Sequence, residues 1–112
     1  MKINLSPQRR DDTLEVIKTG EVLTVNGEDF DLSSVGEGDT LPANAISSQW
    51  FAGPVDRIDG ELVLTLLLPL PYNFSHAQAF PQPLIDVQNG VVVFPAPLPP
   101  VMTEAAVGEE VE

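Results

Sequence analysis

Hydrophobic and polar positions alternate with a period of two over several short stretches of this chain, separated by glycine-containing dipeptides. The longest apolar stretch, VDRIDGELVLTLLLPLP at 55–71, contains Asp59-Gly60. Asp-Gly between apolar runs is a strong hairpin signal, because a type I′ turn needs φ > 0 at both central residues. The spacing predicts a two-residue turn that sets Ile58 against Glu61, Arg57 against Leu62 and Val55 against Leu64. Leu62, Leu64, Leu66 and Leu68 then share one face of a central strand over 61–68, and Val63, Thr65 and Leu67 share the other. A strand apolar on both faces is normally covered on both, or packs part of the second face on a loop or a partner.

Asn26-Gly27 is a second signal of the same kind. It predicts Val25 opposite Glu28 and Leu23 opposite Phe30, with Leu23, Val25, Phe30 and Leu32 on a buried face and Thr24, Asp29 and Asp31 toward water. Asn89-Gly90 is a third, between 84–87 and 91–94, with Ile85, Val87, Val92 and Phe94 sharing a face. Shorter strands are expected at 2–6, ended by Pro7, and at 13–18 and 21–25 on either side of Thr19-Gly20. Residues 33–40 read as loop. A short helix is expected at 42–48, with Pro42 as its first residue, and a single helical turn within 72–80 capped by Ser75. Pro69 and Pro71 are expected to stop the central strand, and PAPLPP after Phe94 favours polyproline II. The three turns lie about thirty residues apart, but their flanks do not match, so no internal repeat is assigned.

The fold class that follows is mainly β: a small antiparallel sheet, or a partly open barrel or sandwich, built from three hairpins with at most one or two short helical turns. Residues 1–98 are expected to form one β-rich domain, and 99–112 a Pro-led, acidic, disordered C-terminal tail.

Composition narrows the chemistry. The 112 residues suffice for one modest core, and the eleven prolines leave little room for long helices. There is no cysteine, which removes disulfides, thiolate catalysis and cysteine-ligated metals. The net charge is −12, and four of the five basic residues (Lys2, Arg9, Arg10, Lys18) precede residue 19, leaving Arg57 as the remaining one. Such a chain repels phosphate backbones, so nucleic acid is not expected as a partner. No run of 18 apolar residues is present, so no membrane span is expected. MKINLSPQRRDD has no apolar core of a secretory signal, and synthesis in the cytosol is expected.

No catalytic, cofactor or metal site stands out. His76, the sole histidine, adjoins Ser75, but neighbours in sequence do not make a nucleophile–base pair and no G-x-S-x-G elbow surrounds the serine. Glu28, Asp29, Asp31, Glu37 and Asp39 are oxygen donors of the type calcium uses, without the spacing of a calcium loop; a solvated acidic face explains them. Asp56 and Asp59 carry no further sign of a glycosidase pair, and VGEGD sets acids where a phosphate loop needs neutral or basic residues. The expected activity is therefore non-enzymatic. The candidate interaction surface is Trp50 and Phe51, the aromatic pair before Gly53-Pro54, with Val63 and Leu67 on the second face of the central strand. The proline-rich segments PLPYNF and FPAPLPP read as pinned loops, or as ligands for a groove.

The segments WFAGPVDRIDGELVLTLLLPLP and AFPQPLIDVQNGVVVFP resemble those of small acidic proteins encoded among the tail and tail-fibre genes of tailed bacteriophages and prophages. The resemblance covers roughly residues 20–98. It lies in a hairpin, a Leu-rich strand ending in prolines, an A-x-x-FP-x-P segment and a final Asn-Gly turn, and it carries over no site residue. It implies a structural or assembly-helper protein, present in the bacterial cytoplasm during assembly or in the virion, with a phage tail or tail-fibre protein as partner. The alternative from another class is a small acidic inhibitor or nucleic-acid mimic that binds a basic host protein, which requires carboxylates arrayed along one exposed face. An enzyme would require a pocket that joins His76 to a carboxylate.

Overall fold

The computed structural model describes residues 1–98. Along the chain run β1 (Lys2–Arg9), β2 (Val16–Thr19), β3 (Val22–Val25), β4 (Glu28–Asp31), β5 (Thr40–Leu41), a 3₁₀ turn (Ala43–Ala45), β6 (Val55–Ile58), β7 (Glu61–Leu70), α1 (His76–Ala79) and β8 (Gly90–Val91). The fold is mainly β with minimal helix. It has two four-stranded sheets, the first ordered β1-β7-β6-β5 and the second β4-β3-β2-β8.

Two of the three hairpins form as the sequence predicts. Ile58 faces Glu61 and Arg57 faces Leu62 across Asp59-Gly60, whose φ values are 52° and 81°. Val25 faces Glu28 and Leu23 faces Phe30 across Asn26-Gly27, at 48° and 86°. Both turns therefore adopt the left-handed conformation that selects Asn, Asp and Gly.

The third hairpin is replaced by something else. Leu84 exchanges backbone hydrogen bonds with Ile3, whereas Gly90 and Val91 pair with Lys18 and Ile17. The two halves of the expected hairpin thus complete the edges of different sheets. Asn89 does not take positive φ; its Oδ1 accepts from the Gly20 amide at 2.9 Å and from Lys18 Nζ at 3.1 Å. Unpaired groups on the edges of β1 and β2 outbid a local turn for the same backbone partners.

Two prolines expected to end strands lie inside them. Pro7 continues β1 because its nitrogen points away from β7. Ile3, of the same parity, spends its amide and carbonyl on Leu84 rather than on β7, so the missing N–H of Pro7 costs no rung there. Pro69 continues β7 in the same way, its nitrogen facing the side where the last rung is Leu67 N–H to Trp50 O, 2.8 Å. The β1–β7 pair is parallel, from Lys2↔Val63 to Arg9↔Leu70, so the first sheet is mixed rather than antiparallel. The helix expected at 42–48 contracts to the 3₁₀ turn, which Pro42 precedes in extended conformation. The turn capped by Ser75 is present, with a full capping box: Gln78 N–H bonds Ser75 Oγ and Ser75 N–H bonds Gln78 Oε1. The expected acidic tail, 99–112, lies outside the described residues.

The apolar faces of both sheets meet in one core. Ile3, Leu64 and Leu66 from the first sheet and Val16, Leu23 and Val25 from the second are fully or almost fully buried in it. Phe51, bridged to Leu66 of β7, packs edge-on against Phe30 of β4 with ring centres 5.1 Å apart. Arg57 supplies a polar tie: its Nε donates to the Val35 carbonyl, and its terminal nitrogens hold both oxygens of Glu21, between β2 and β3.

Candidate interaction surface

The four residues singled out from the sequence fall in two places. Trp50 and Phe51 are in the core, only 8% and 5% exposed. Trp50 also carries the Arg10 guanidinium 4.7 Å above its ring, a cation–π contact that seals it from solvent. Val63 and Leu67 lie half-buried on the second face of β7, and Leu67 still packs against the core. Val63 and Leu67 are thus the partly exposed pair of the two. The polar β1 residues Lys2, Asn4 and Ser6 stand beside Val63, Thr65 and Leu67 in the register of the sheet, so that face is mixed rather than apolar.

More strongly exposed apolar side chains lie elsewhere, among them a group at the β8 edge. Ile85, Val91 and Val93 are 67%, 68% and 81% exposed, and Ile17, paired with Val91, is 38% exposed. Val91 stands opposite Ile17, and the next rung, Val92 N–H to Val16 O at 2.9 Å, turns Val92 inward, where it is buried. Between the segments around Leu84 and Val91 runs a groove of about 390 Å³, walled by Ile85, Val87, Val91 and Val93. Val91 and Val93 belong to the apolar run GVVVF, whose Val92 and Phe94 are the residues expected to share a face with Ile85 and Val87. The one available signal was the length of that run: alternation leaves Val91 and Val93 on the face opposite Val92.

Ser75 and His76 make no catalytic pair. Ser75 Oγ donates to the Ala96 carbonyl at 2.7 Å, and the His76 ring packs on Phe80 with centres 4.8 Å apart. Several carboxylates are bonded within the fold. Glu37 accepts both turn amides, Asp59 N–H at 2.8 Å and Gly60 N–H at 2.6 Å. Asp29 accepts from Thr24, Asp31 from Ser33 and Asp39 from the Gly36 amide. Hydrogen bonds from Ser33 hold the Asp31 carboxyl below its ordinary range, and those from Arg57 do the same for Glu21. Among the described residues, no group of three or more His, Asp or Glu side chains is placed to hold a metal ion.

A polar cleft of about 340 Å³ separates the Gly20-Glu21 turn from the Asp59-Gly60 turn. The amino terminus of Met1 and Glu61 meet there at 3.4 Å. Its lining combines carboxylates with one lysine and contains neither a hydroxyl nucleophile nor an imidazole.

No protein-family model, curated protein or solved structure matches this chain.

Proposed function

We propose that this chain is a non-enzymatic structural or assembly protein of a phage or prophage tail module, working through protein–protein contacts. The observation that carries the contact-based part is the β8 edge, where Ile85, Val91 and Val93 stand exposed beside an open groove. A two-residue edge strand with apolar neighbours offers a partner both backbone groups and apolar surface. The attribution to a tail module rests on the sequence resemblance alone. On this reading the two sheets, which share one core, form a partly open sandwich whose open side is that edge.

The acidic-decoy alternative draws less support. It needs carboxylates arrayed along one exposed face. Asp29, Asp31, Glu37 and Asp39 are exposed but each is oriented by a bond to its own neighbours, and Arg57 takes both oxygens of Glu21.

The test is capture of partners from phage-infected or prophage-induced bacteria by the tagged full chain, with washes at low and then high salt. Tail or fibre proteins kept through high salt are the expected result, because apolar contacts are not screened. A basic host protein kept only at low salt would replace this reading with the decoy. Capture of neither would remove the tail assignment.

A further inference from the structure

The chain carries Asn-Gly twice, at 26–27 and at 89–90, and both asparagines are exposed. This dipeptide can react with itself, because the glycine nitrogen lies within reach of the asparagine side-chain carbonyl carbon and no Cβ hinders its approach. Exposure does not separate the two sites, but their hydrogen bonds do. At Asn26 both ends of the side-chain amide are held: Oδ1 accepts from Glu15 N–H at 2.7 Å and Nδ2 donates to the Thr13 carbonyl at 3.0 Å. Its backbone is fixed as well, at φ 48° in the two-residue turn between β3 and β4. Swinging that amide toward Gly27 breaks both side-chain bonds.

At Asn89 only the oxygen is held. Oδ1 accepts from Gly20 N–H at 2.9 Å and from Lys18 Nζ at 3.1 Å, and Nδ2 donates to no described residue. Both neighbours are donors, so the atom they face is the oxygen. An ammonium and a backbone amide converging on one carbonyl oxygen polarise its carbon, and they stabilise the negative charge that develops there when a nucleophile adds. Gly90 itself begins β8 and pairs with Lys18. Because β8 is an edge strand of two exposed residues, freeing the Gly90 nitrogen takes only a local opening of the sheet end. The two bonds to Oδ1 come from β2 and the turn after it, so they do not depend on that rung.

The geometry points to Asn89 as a self-modification site, at which Lys18 and the Gly20 amide assist loss of the side-chain nitrogen. The Gly90 nitrogen gives its proton to a base in solvent and bonds to Asn89 Cγ, which places negative charge on Oδ1 between its two donors. The Cγ–Nδ2 bond then breaks, and the nitrogen takes up a proton and leaves as ammonia, closing a succinimide. Water opens that ring at either carbonyl and leaves aspartate or isoaspartate at position 89. One water enters, one ammonia leaves, and nothing is oxidised or reduced. The aspartate keeps an oxygen opposite Lys18. The isoaspartate lengthens the backbone by one carbon at the start of β8 and so displaces the next rung, Val92 N–H to Val16 O. Only groups of this chain and water take part, and the site does not depend on the tail-module reading.

The test incubates the full chain in mildly alkaline buffer and follows both asparagines over time by peptide-mapping mass spectrometry, reading the small mass gain that exchange of amide for carboxyl brings. Asn89 is expected to convert several-fold faster than Asn26 in the folded protein. In concentrated urea, where neither side chain has its partners, the ratio of the two rates is expected to fall toward one. Lys18→Met removes the ammonium and is expected to slow Asn89 several-fold while Asn26, the internal control, keeps its rate. A merely structural role for Lys18 predicts the reverse, since a looser β8 frees the Gly90 nitrogen and speeds the reaction. An unchanged or faster Asn89 in a folded Lys18→Met protein would overturn the proposal, as would an Asn89 no faster than Asn26 in the parent. Should the variant unfold, the parent decides alone: a rate ratio that urea leaves unaltered removes the assigned role of the Lys18 and Gly20 donors.

Discussion

Arg57 grips Glu21 with two prongs, Nη1 at 2.8 Å and Nη2 at 2.9 Å, and so joins the β6–β7 hairpin to the β2–β3 turn of the other sheet. The same guanidinium also bonds the Val35 and Gly60 carbonyls. A lysine at this position would keep the charge and lose the fork. Arg57→Lys is therefore expected to lower the midpoint of thermal unfolding nearly as much as Arg57→Met. A lysine variant as stable as the parent would mean that charge alone matters there.

The pair also gives stability a pH dependence of known sign. Hydrogen bonding from Arg57 holds Glu21 below its ordinary value of 4.5, and hydrogen bonding from Ser33 does the same for Asp31, below 3.8. The unfolded chain has neither partner, so it binds protons first as pH falls. These contributions are complete above the ordinary carboxylate range and are lost as pH drops through the depressed folded values. Urea midpoints measured from pH 7 down to pH 3 are expected to fall, and Glu21→Gln should flatten that decline. Parallel slopes for parent and variant would rule out Glu21 as a source of the acid sensitivity.

The two faces of β7 call for different responses to truncation. Leu66 is fully buried at the junction of both sheets, and Leu66→Ala should cost about 2–5 kcal/mol, as buried leucines do. Leu67, one residue on, is half-buried on the mixed face, and Leu67→Ala should cost clearly less. Chemical denaturation of both variants settles the ranking. Equal losses would indicate that something covers the second face as completely as the first.

Much of this architecture was legible from turn chemistry. Asp59-Gly60 and Asn26-Gly27 fold as expected, with correct register, because the local conformational requirement and the hydrophobic alternation agree. Asn89-Gly90 carries the same dipeptide, yet its neighbours pair at long range with Ile3 and Ile17. Nothing local distinguishes it; the vacant edges of β1 and β2 exist only once both sheets have formed. Pro7 and Pro69 misled for a related reason, since a proline ends a strand only where its nitrogen faces a partner. The parallel β1–β7 pairing joins residues about sixty positions apart, and no spacing rule reveals it. Of the surface residues, Val63 and Leu67 could be found from two-sided apolarity. The exposure of Ile85, Val91 and Val93 followed from a hairpin that did not form.

Asn26 shows why a turn position can demand one residue type among several that tolerate φ > 0. Its Oδ1 accepts from the Glu15 amide at 2.7 Å, while its Nδ2 donates to the Thr13 carbonyl at 3.0 Å. The side chain thus fastens the approach to β2 as well as shaping the turn. Asn26→Asp keeps the turn conformation and the acceptor but loses the donor, and about 1 kcal/mol of stability should go with it. Asn26→Gly, which loses both bonds, should cost more than the aspartate despite its freer backbone. The opposite order in denaturant midpoints would show that backbone conformation, and not the side-chain bonds, selects asparagine.

The β8 edge allows function to be separated from folding. Val91 and Val93 are 68% and 81% exposed, so replacing either alters little core packing, and surface changes of this kind usually stay within about 0.5 kcal/mol. Lysines there charge the rim of the groove and discourage an added strand, the device by which natural sheet edges avoid pairing. A Val91→Lys, Val93→Lys double variant is therefore expected to unfold at nearly the parent's midpoint and, under the tail-module proposal, to fail to retain a tail or fibre component through a high-salt wash. Lys2→Glu on the mixed face of the first sheet serves as the matched surface control and should leave retention intact. If the double variant still holds the partner at high salt, contact is made through some other surface, and the exposed valines have no part in assembly.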